Sequence, residues 1–435
     1  MNPAHTLAAA RAHDARDPLA FFRERFALPL DPRGEPLVYL GGHSLGLMPL
    51  TARELVNEEL EEWARLAVQA HEHGRRPWVP YHENLTAGLA ALTGSRPDEV
   101  VAMNSLTVNL HLMLASFYRP QGKRTRILIE AGAFASDRHA VTSQIAWRGL
   151  DPESELLELA PAAGEATVSE EAIDACLARH GAELALVLWP GVQFRTGQAF
   201  DIARIARAAH AAGCIAGFDL AHSIGNTPLA LHAAEADFAV WCSYKYLNGG
   251  PGAIGGCFVH QRHSEAQPRT RHSGALPGAR LAGWWGVDAP TRFLMEPQFH
   301  AAPGAAAWQI SNPPILAAAP LIASLAIFLQ AGMEALRAKS VALTAFLEQL
   351  LQPLAPKAQI LTPRDPARRG CQLSLRLAGG EHRGKQVFDA LAAHGVVCDW
   401  RSPDIIRVAP VPLYNRFEDA WRFARALRDT LQASA

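Results

Sequence analysis

The chain has 435 residues, of which 49% are hydrophobic and 19% charged, with a net charge of −1. That length predicts two or three folding units, and the near-neutral balance excludes the strong field with which a protein holds nucleic acid or an anionic membrane. The six cysteines, at 176, 214, 242, 257, 371 and 398, include no CxxC pair, which predicts reduced, mostly buried thiols in a cytoplasmic protein.

Residues 1–18 mix Arg, His and Asp with Ala and have no apolar stretch, so no secretory signal is expected. Residues 126–130 (RILIE) and 184–189 (LALVLW) read as strands. Asp201 can cap a helix that runs to Ala212 and ends at Gly213, and 214–219 (CIAGFD) reads as the next strand. Strand, helix, strand at this spacing predicts an α/β fold with a mainly parallel sheet. Residues 238–242 and 254–259 add strands. The longest apolar run, 315–329, contains Pro320 and falls short of the roughly 20 residues a membrane span needs, so a buried helix is expected. The remainder reads as a smaller α+β unit: strand 371–377, helix 385–393, short strands 396–399 and 405–408, and an amphipathic helix over 417–432. The expected division is an N-terminal segment to residue 45 packing on the small unit, a large unit over 46–325, and the small unit over 326–435.

Two segments carry the chemistry. Asp219 ends a buried strand in GFDLAHS, at the carboxyl edge where open α/β sheets bind ligands. A carboxylate there is costly unless a cation meets it, and a protonated pyridine nitrogen is one such cation. Lys245, in WCSYKYLN, follows an apolar strand and precedes the glycines at 249, 250 and 252. A desolvated lysine in that setting can lose its proton and attack an aldehyde. Together the two predict a pyridoxal phosphate (PLP) site, with Lys245 as the Schiff-base lysine and Asp219 holding the ring nitrogen protonated. Separately, each has a plainer reading as a sheet-end carboxylate or a surface lysine. Three further features fit such a site. Ser105, Leu106 and Thr107 open a helix whose amides suit a phosphate, Phe134 can stack on a flat ring, and Arg407 in an apolar strand can grip a carboxylate. Their plainer readings are an N-cap, core packing and a structural ion pair.

The strings LGGHSLGL (40–47), FDLAH (218–222), CSYKYLN (242–248), ISNPP (310–314) and RVAPVPLY (407–414) resemble kynureninase, in order, over about residues 38 to 430. The resemblance implies a fold-type-I PLP enzyme of the aminotransferase class V superfamily and a homodimer with composite active sites. It implies hydrolysis of the Cβ–Cγ bond of L-kynurenine or 3-hydroxy-L-kynurenine to L-alanine and anthranilate or 3-hydroxyanthranilate, a step of tryptophan catabolism and NAD biosynthesis. Lys245 would carry PLP and move the α-proton, Asp219 would pair with the pyridinium, and Tyr244 would protonate the β-carbon. Leu106, Thr107, Phe134, Asp137, His222 and Tyr244 would hold or frame the cofactor, with Trp284 and Asn312 coming from the neighbouring subunit. Arg407 would bind the substrate α-carboxylate, and Ser44, His71, Ser311 and Asn312 would lie near its aromatic ring. His71 with Asn312 resembles the pair in members that favour 3-hydroxykynurenine. His43 departs from the family pattern, which has Asn there, and Pro190 stands where a Ser can contact the cofactor.

Three other readings compete. A cysteine desulfurase or aminotransferase shares the fold, and a desulfurase needs a catalytic Cys on a mobile loop, whereas Cys214, Cys242 and Cys257 fall in or beside predicted strands. A metal-dependent hydrolase using His71, His73 and His82 lacks the i, i+4 histidine pair of a zinc helix, and no metal is expected. A non-catalytic binding protein on the same fold is opposed by Asp219, Tyr244, Lys245 and Arg407 occurring together.

Overall fold

The computed structural model describes residues 5–265 and 280–433. Its centre is a seven-stranded sheet made of β1 (Val100–Ala102), β2 (Arg126–Glu130), β3 (Leu156–Leu159), β4 (Leu184–Pro190), β5 (Ile215–Asp219), β6 (Phe238–Trp241) and β7 (Gly256–Val259), in the order β3-β2-β4-β5-β6-β7-β1. All neighbours are parallel except β7, which runs antiparallel to both β6 and β1. The central strands are buried on both faces, so their sequences read as unbroken apolar runs rather than alternating ones.

Helices cover the sheet: α1 (Leu106–Phe117), α2 (Ala135–Trp147) and α3 (Ile202–Ala211). The start of α3 is fixed as expected, with Asp201 accepting a bond from Arg204 N at 3.0 Å. Its end is fixed by Gly213 at φ 77°, where an added Cβ would run into the Arg124 guanidinium. The apolar run forms α4 (Ile315–Ala331), which carries Pro320 in its second turn and buries Leu321, Leu325 and Phe328 in the core of the large sheet. At Gly332, φ 75°, the chain bends by 81° into α5 (Met333–Leu351). Residue 325 lies within α4. Among the described residues no single helix is long and apolar enough to cross a membrane.

A four-stranded sheet follows, composed of β8 (Ala358–Ile360), β9 (Leu373–Leu377), β10 (Asp399–Arg401) and β11 (Ile405–Val408) in the order β10-β11-β9-β8. The expected strand over 396–399 is divided: Val396 and Val397 pair in parallel with Val38 and Tyr39, and Asp399 opens β10. The helix expected over 385–393 begins earlier, at Gly380. This sheet shares a core with α5 and with α6 (Phe417–Ala433). The N-terminal segment is split between the two cores. Ala10, Val38 and Leu40 pack with the four-stranded sheet, whereas Leu19, Phe22 and Phe26 pack with the large one.

Candidate active site

The carboxyl ends of β2, β4, β5 and β6 open on one cleft of about 700 Å3. Asp219 is the last residue of β5, in register with Pro190 on one side and Val240 on the other. It is 8% exposed, and its Oδ1 accepts a bond from Ala221 N at 2.6 Å. Asp137, on the first turn of α2, faces it. Burial, and then the Asp219 carboxylate with its hydrogen bond, hold the Asp137 carboxyl well above the usual range. Asp137 is therefore the protonated donor of the pair, and its Oδ1 has no hydrogen-bond partner among the described residues. One buried negative charge on two adjoining carboxyls suits a cationic ring nitrogen.

The two helices beginning beside this pair suit an anion. Neither α1 nor α2 has a side-chain cap at its start, so their first amides are not engaged by a capping side chain. Thr107 and Ser136 link the two helix starts through hydroxyls 2.8 Å apart. A PLP-sized group therefore finds donors for a phosphate at the helix starts and a carboxylate for its ring nitrogen, both lining one cleft.

Lys245 enters from the loop after β6, a turn closed by Gly249 N donating to Ser243 O at 2.8 Å. Its Nζ lies 5.8 Å from the centroid of the Phe134 ring and 5.6 Å from that of Tyr244. Gly46 N donates to Tyr244 O at 2.8 Å. A Cβ at Gly46 would collide with the Lys245 carbonyl, so only glycine lets residues 41–46 lie against the lysine loop. Burial raises the Tyr244 hydroxyl pKa, which keeps the phenol a proton donor. The ring of His222 lines the cleft, and its pKa is driven well down by burial and by Lys245.

Eight of the residues expected from sequence thus meet in this cleft. Leu106, Thr107, Phe134 and Asp137 come from the helix starts, and Asp219, His222, Tyr244 and Lys245 from the strand ends. Arg407 lies deeper. It is 1% exposed on β11, its Nη1 donates to Phe194 O at 2.6 Å, and its Nε donates to Asp399 Oδ1 at 2.8 Å. Phe194 lines the cleft and meets Phe134 edge-on at 5.2 Å, so Arg407 is one residue removed from the cleft wall. Ser44, His71, Trp284, Ser311 and Asn312 are exposed and outside the cleft of a single chain. Pro190 lines the cleft wall, and His43 is fully buried.

Glu130, Gln193, Phe194 and Asp399 were not singled out from the sequence. Glu130 ends β2 inside the cleft, 3% exposed, and burial pushes its pKa up to about 8. The strand-end argument that picks out Asp219 also picks out Glu130 and the 190–194 turn, and could have found them. Asp399 carries no such signal, because its partner comes from another strand.

The competing readings find little support. All six cysteines are free, and none lines the cleft. His71 and His73 are exposed, while His82 is buried against Gln309. Among the described residues, Glu99, His232 and His260 are grouped closely enough to hold a metal ion, at the opposite edge of the sheet. There the Glu99 carboxylate already accepts bonds from Arg96 N, Gln261 N and His232 Nδ1.

The fold matches solved structures of PLP enzymes. A C-DES variant with glycine covalently linked to its PLP cofactor gives a TM-score of 0.74 at 19% identity, over 93% of this chain and 98% of that one. The Escherichia coli cysteine desulfurase CsdA gives 0.73 at 17% identity, over 95% and 98%. At those identities the likeness is one of fold. The architecture is thus one that, in the C-DES structure, holds a PLP cofactor.

The sequence profile of the Kynureninase C-terminal domain matches residues 336–427. Kynureninase of Xanthomonas campestris pv. campestris (strain B100) is 59% identical over 411 residues, 94% of each chain. That of Xanthomonas euvesicatoria pv. vesicatoria (strain 85-10) is 57% identical over 419 residues, 95% of this chain and 96% of the other. The chain belongs to the kynureninase family. It is a PLP-dependent hydrolase of carbon–carbon bonds that cleaves kynurenine.

Proposed function

We propose that Lys245 is the cofactor lysine and that the cleft around it carries out the hydrolysis of kynurenine to anthranilate and L-alanine. One observation carries this reading: a single cleft joins Lys245, the Asp137–Asp219 pair and two uncapped helix starts. Bound PLP supplies an electron sink for charge developing on the substrate. Asp219 meets the pyridinium nitrogen, and the proton on Asp137 fixes the orientation of that carboxylate. Phe134 covers one face of the ring. Leu106, Thr107 and the helix-start amides cradle the phosphate, while His222 and Tyr244 frame it.

Lys245 moves the α-proton as general base, and the Tyr244 hydroxyl delivers a proton to the β-carbon. Arg407, aligned by Asp399 and Phe194, grips the α-carboxylate. Ser44, His71, Ser311 and Asn312 lie near the aromatic ring. The assembly is a homodimer in which Trp284 and Asn312 are contributed by the neighbouring subunit. The exposed apolar group of Trp284, Phe293, Leu294 and Met295, with Trp284 and Phe293 rings 5.5 Å apart, supports burial against a second copy. His71 and Asn312 both offer hydrogen bonds to a phenol, which favours 3-hydroxykynurenine over kynurenine. The free thiols, four of them buried, support a cytoplasmic setting. Of the expected division, the boundary at 325 fits better at Gly332, where α4 leaves the large core and the chain bends into α5, and the segment before residue 45 packs on both cores.

The test is to mix the protein and PLP with L-kynurenine and then with 3-hydroxy-L-kynurenine, and to measure alanine with the matching anthranilate. Stoichiometric products are expected from both, with the higher kcat/KM for the hydroxylated substrate. Retention of cofactor absorbance without cleavage would overturn the assignment.

A further inference from the structure

The segment through His43 joins the two places where an amino-acid substrate is held. At one end Gly41 bridges to Ala409 beside Arg407, and Ala409 N donates to Leu40 O at 2.9 Å. At the other, Gly46 N is tied to Tyr244 O beside Lys245. His43 lies midway, fully buried, with its ring 6.4 Å from that of His222. Among the described residues neither ring nitrogen reaches a partner at ordinary hydrogen-bond geometry, although the Leu40 backbone lies near. Burial, with Arg407, Arg401 and Lys245 around it, keeps the ring well below its usual pKa and therefore neutral. A buried imidazole with idle nitrogens costs stability unless something else uses it. It is surrounded by cations, so an anion is what the site lacks.

We propose that His43 is a second anchor for the substrate α-carboxylate, donating one N–H beside the Arg407 guanidinium. This rests on the assignment of Arg407 and Lys245 above. The two anchors are presented together because the Gly41–Ala409 bridge fastens the His43 segment to the strand that bears Arg407. Asparagine, which the family pattern has here, also offers an N–H, so the departure keeps a donor while changing its reach. Arg407 already turns Nε and Nη2 to Asp399 and Nη1 to Phe194 O, which leaves room for a second donor at the carboxylate.

The probe pair is L-alanine and L-alaninamide, which differ only in the carboxylate, with affinity read from the cofactor absorbance of the holoenzyme. Wild type is expected to prefer alanine. His43→Phe is expected to lose about tenfold in alanine affinity, the worth of one hydrogen bond to a charged group, while alaninamide affinity stays within about twofold. Equal losses for both ligands, or no loss for either, would overturn the proposal. Should His43→Phe not fold, His43→Ser, too short to reach, is read by the same criteria. Arg407→Leu, which removes the cation, separates the Arg407 assignment from that of His43. If the alanine preference is undiminished by that change, the carboxylate assignment itself is wrong. If it is lost there but unchanged in the His43 variants, only His43 is wrong.

Discussion

Asp399 and Arg407 face each other on neighbouring antiparallel strands, with Nε and Nη2 of the guanidinium both 2.8 Å from Asp399 Oδ1. Arg401, two residues along β10, holds the same oxygen at 3.0 Å. Two arginines share one carboxylate, so the group keeps a net positive charge toward the cleft. Asp399→Asn leaves a guanidinium with 1% side-chain exposure short of its counter-charge. It should destabilise the holoenzyme by about 3 kcal/mol, seen as a lower urea midpoint, and should raise KM more than it lowers kcat. An unchanged midpoint would mean the pair contributes nothing to the fold.

Tyr244→Phe removes the proposed proton donor and leaves the ring packing in place. We expect kcat to fall about a hundredfold, the usual scale for one acid–base group, with cofactor absorbance unchanged. Full turnover in this variant would remove Tyr244 from the proton path.

Burial pushes the Glu130 carboxyl up to about 8, well above the usual carboxylate range. Between that range and the raised value the folded state holds more protons than the unfolded chain, so stability from this group is greatest at low pH and is lost as pH rises toward 8. Glu130→Gln mimics the protonated form. Its melting temperature should match wild type near about pH 5 and exceed it by a widening margin toward about pH 9. Parallel melting curves for the two proteins across that range would contradict the burial effect.

If the sites are composite as proposed, inactive variants should complement each other: Lys245→Ala would lack the proposed cofactor lysine, and Trp284→Ala the residue proposed to cross the interface. Mixed and reassembled, half the dimers carry one intact site, so activity should recover to about a quarter of wild type. No recovery, with exchange shown by sizing of tagged chains, would confine each site to one subunit.

If Asn312 contacts the substrate phenol, Asn312→Ala should lower kcat/KM for 3-hydroxykynurenine about tenfold more than for kynurenine. Equal losses would point to a role in cofactor binding alone.

Sequence determined the sheet and its chemical edge. Strands β4, β5 and β6 are buried on both faces, which leaves continuous apolar runs, and Asp219 and Lys245 announce themselves by where those runs stop. Short β1 at the sheet edge and two-residue Val38–Tyr39 carry too few residues for a periodic signal, and both went unread. In sequence 396–399 reads as one strand, yet tertiary pairing sends Val396 and Val397 to one sheet and Asp399 to another. Only the folded chain decided that Asp137 faces Asp219, that Glu130 keeps its proton, and that Arg407 shares Asp399 with Arg401. A residue's type fixes which proton it can carry. Whether it carries that proton depends on burial and on the charges that distant parts of the chain bring beside it, and neither quantity exists until the chain has folded.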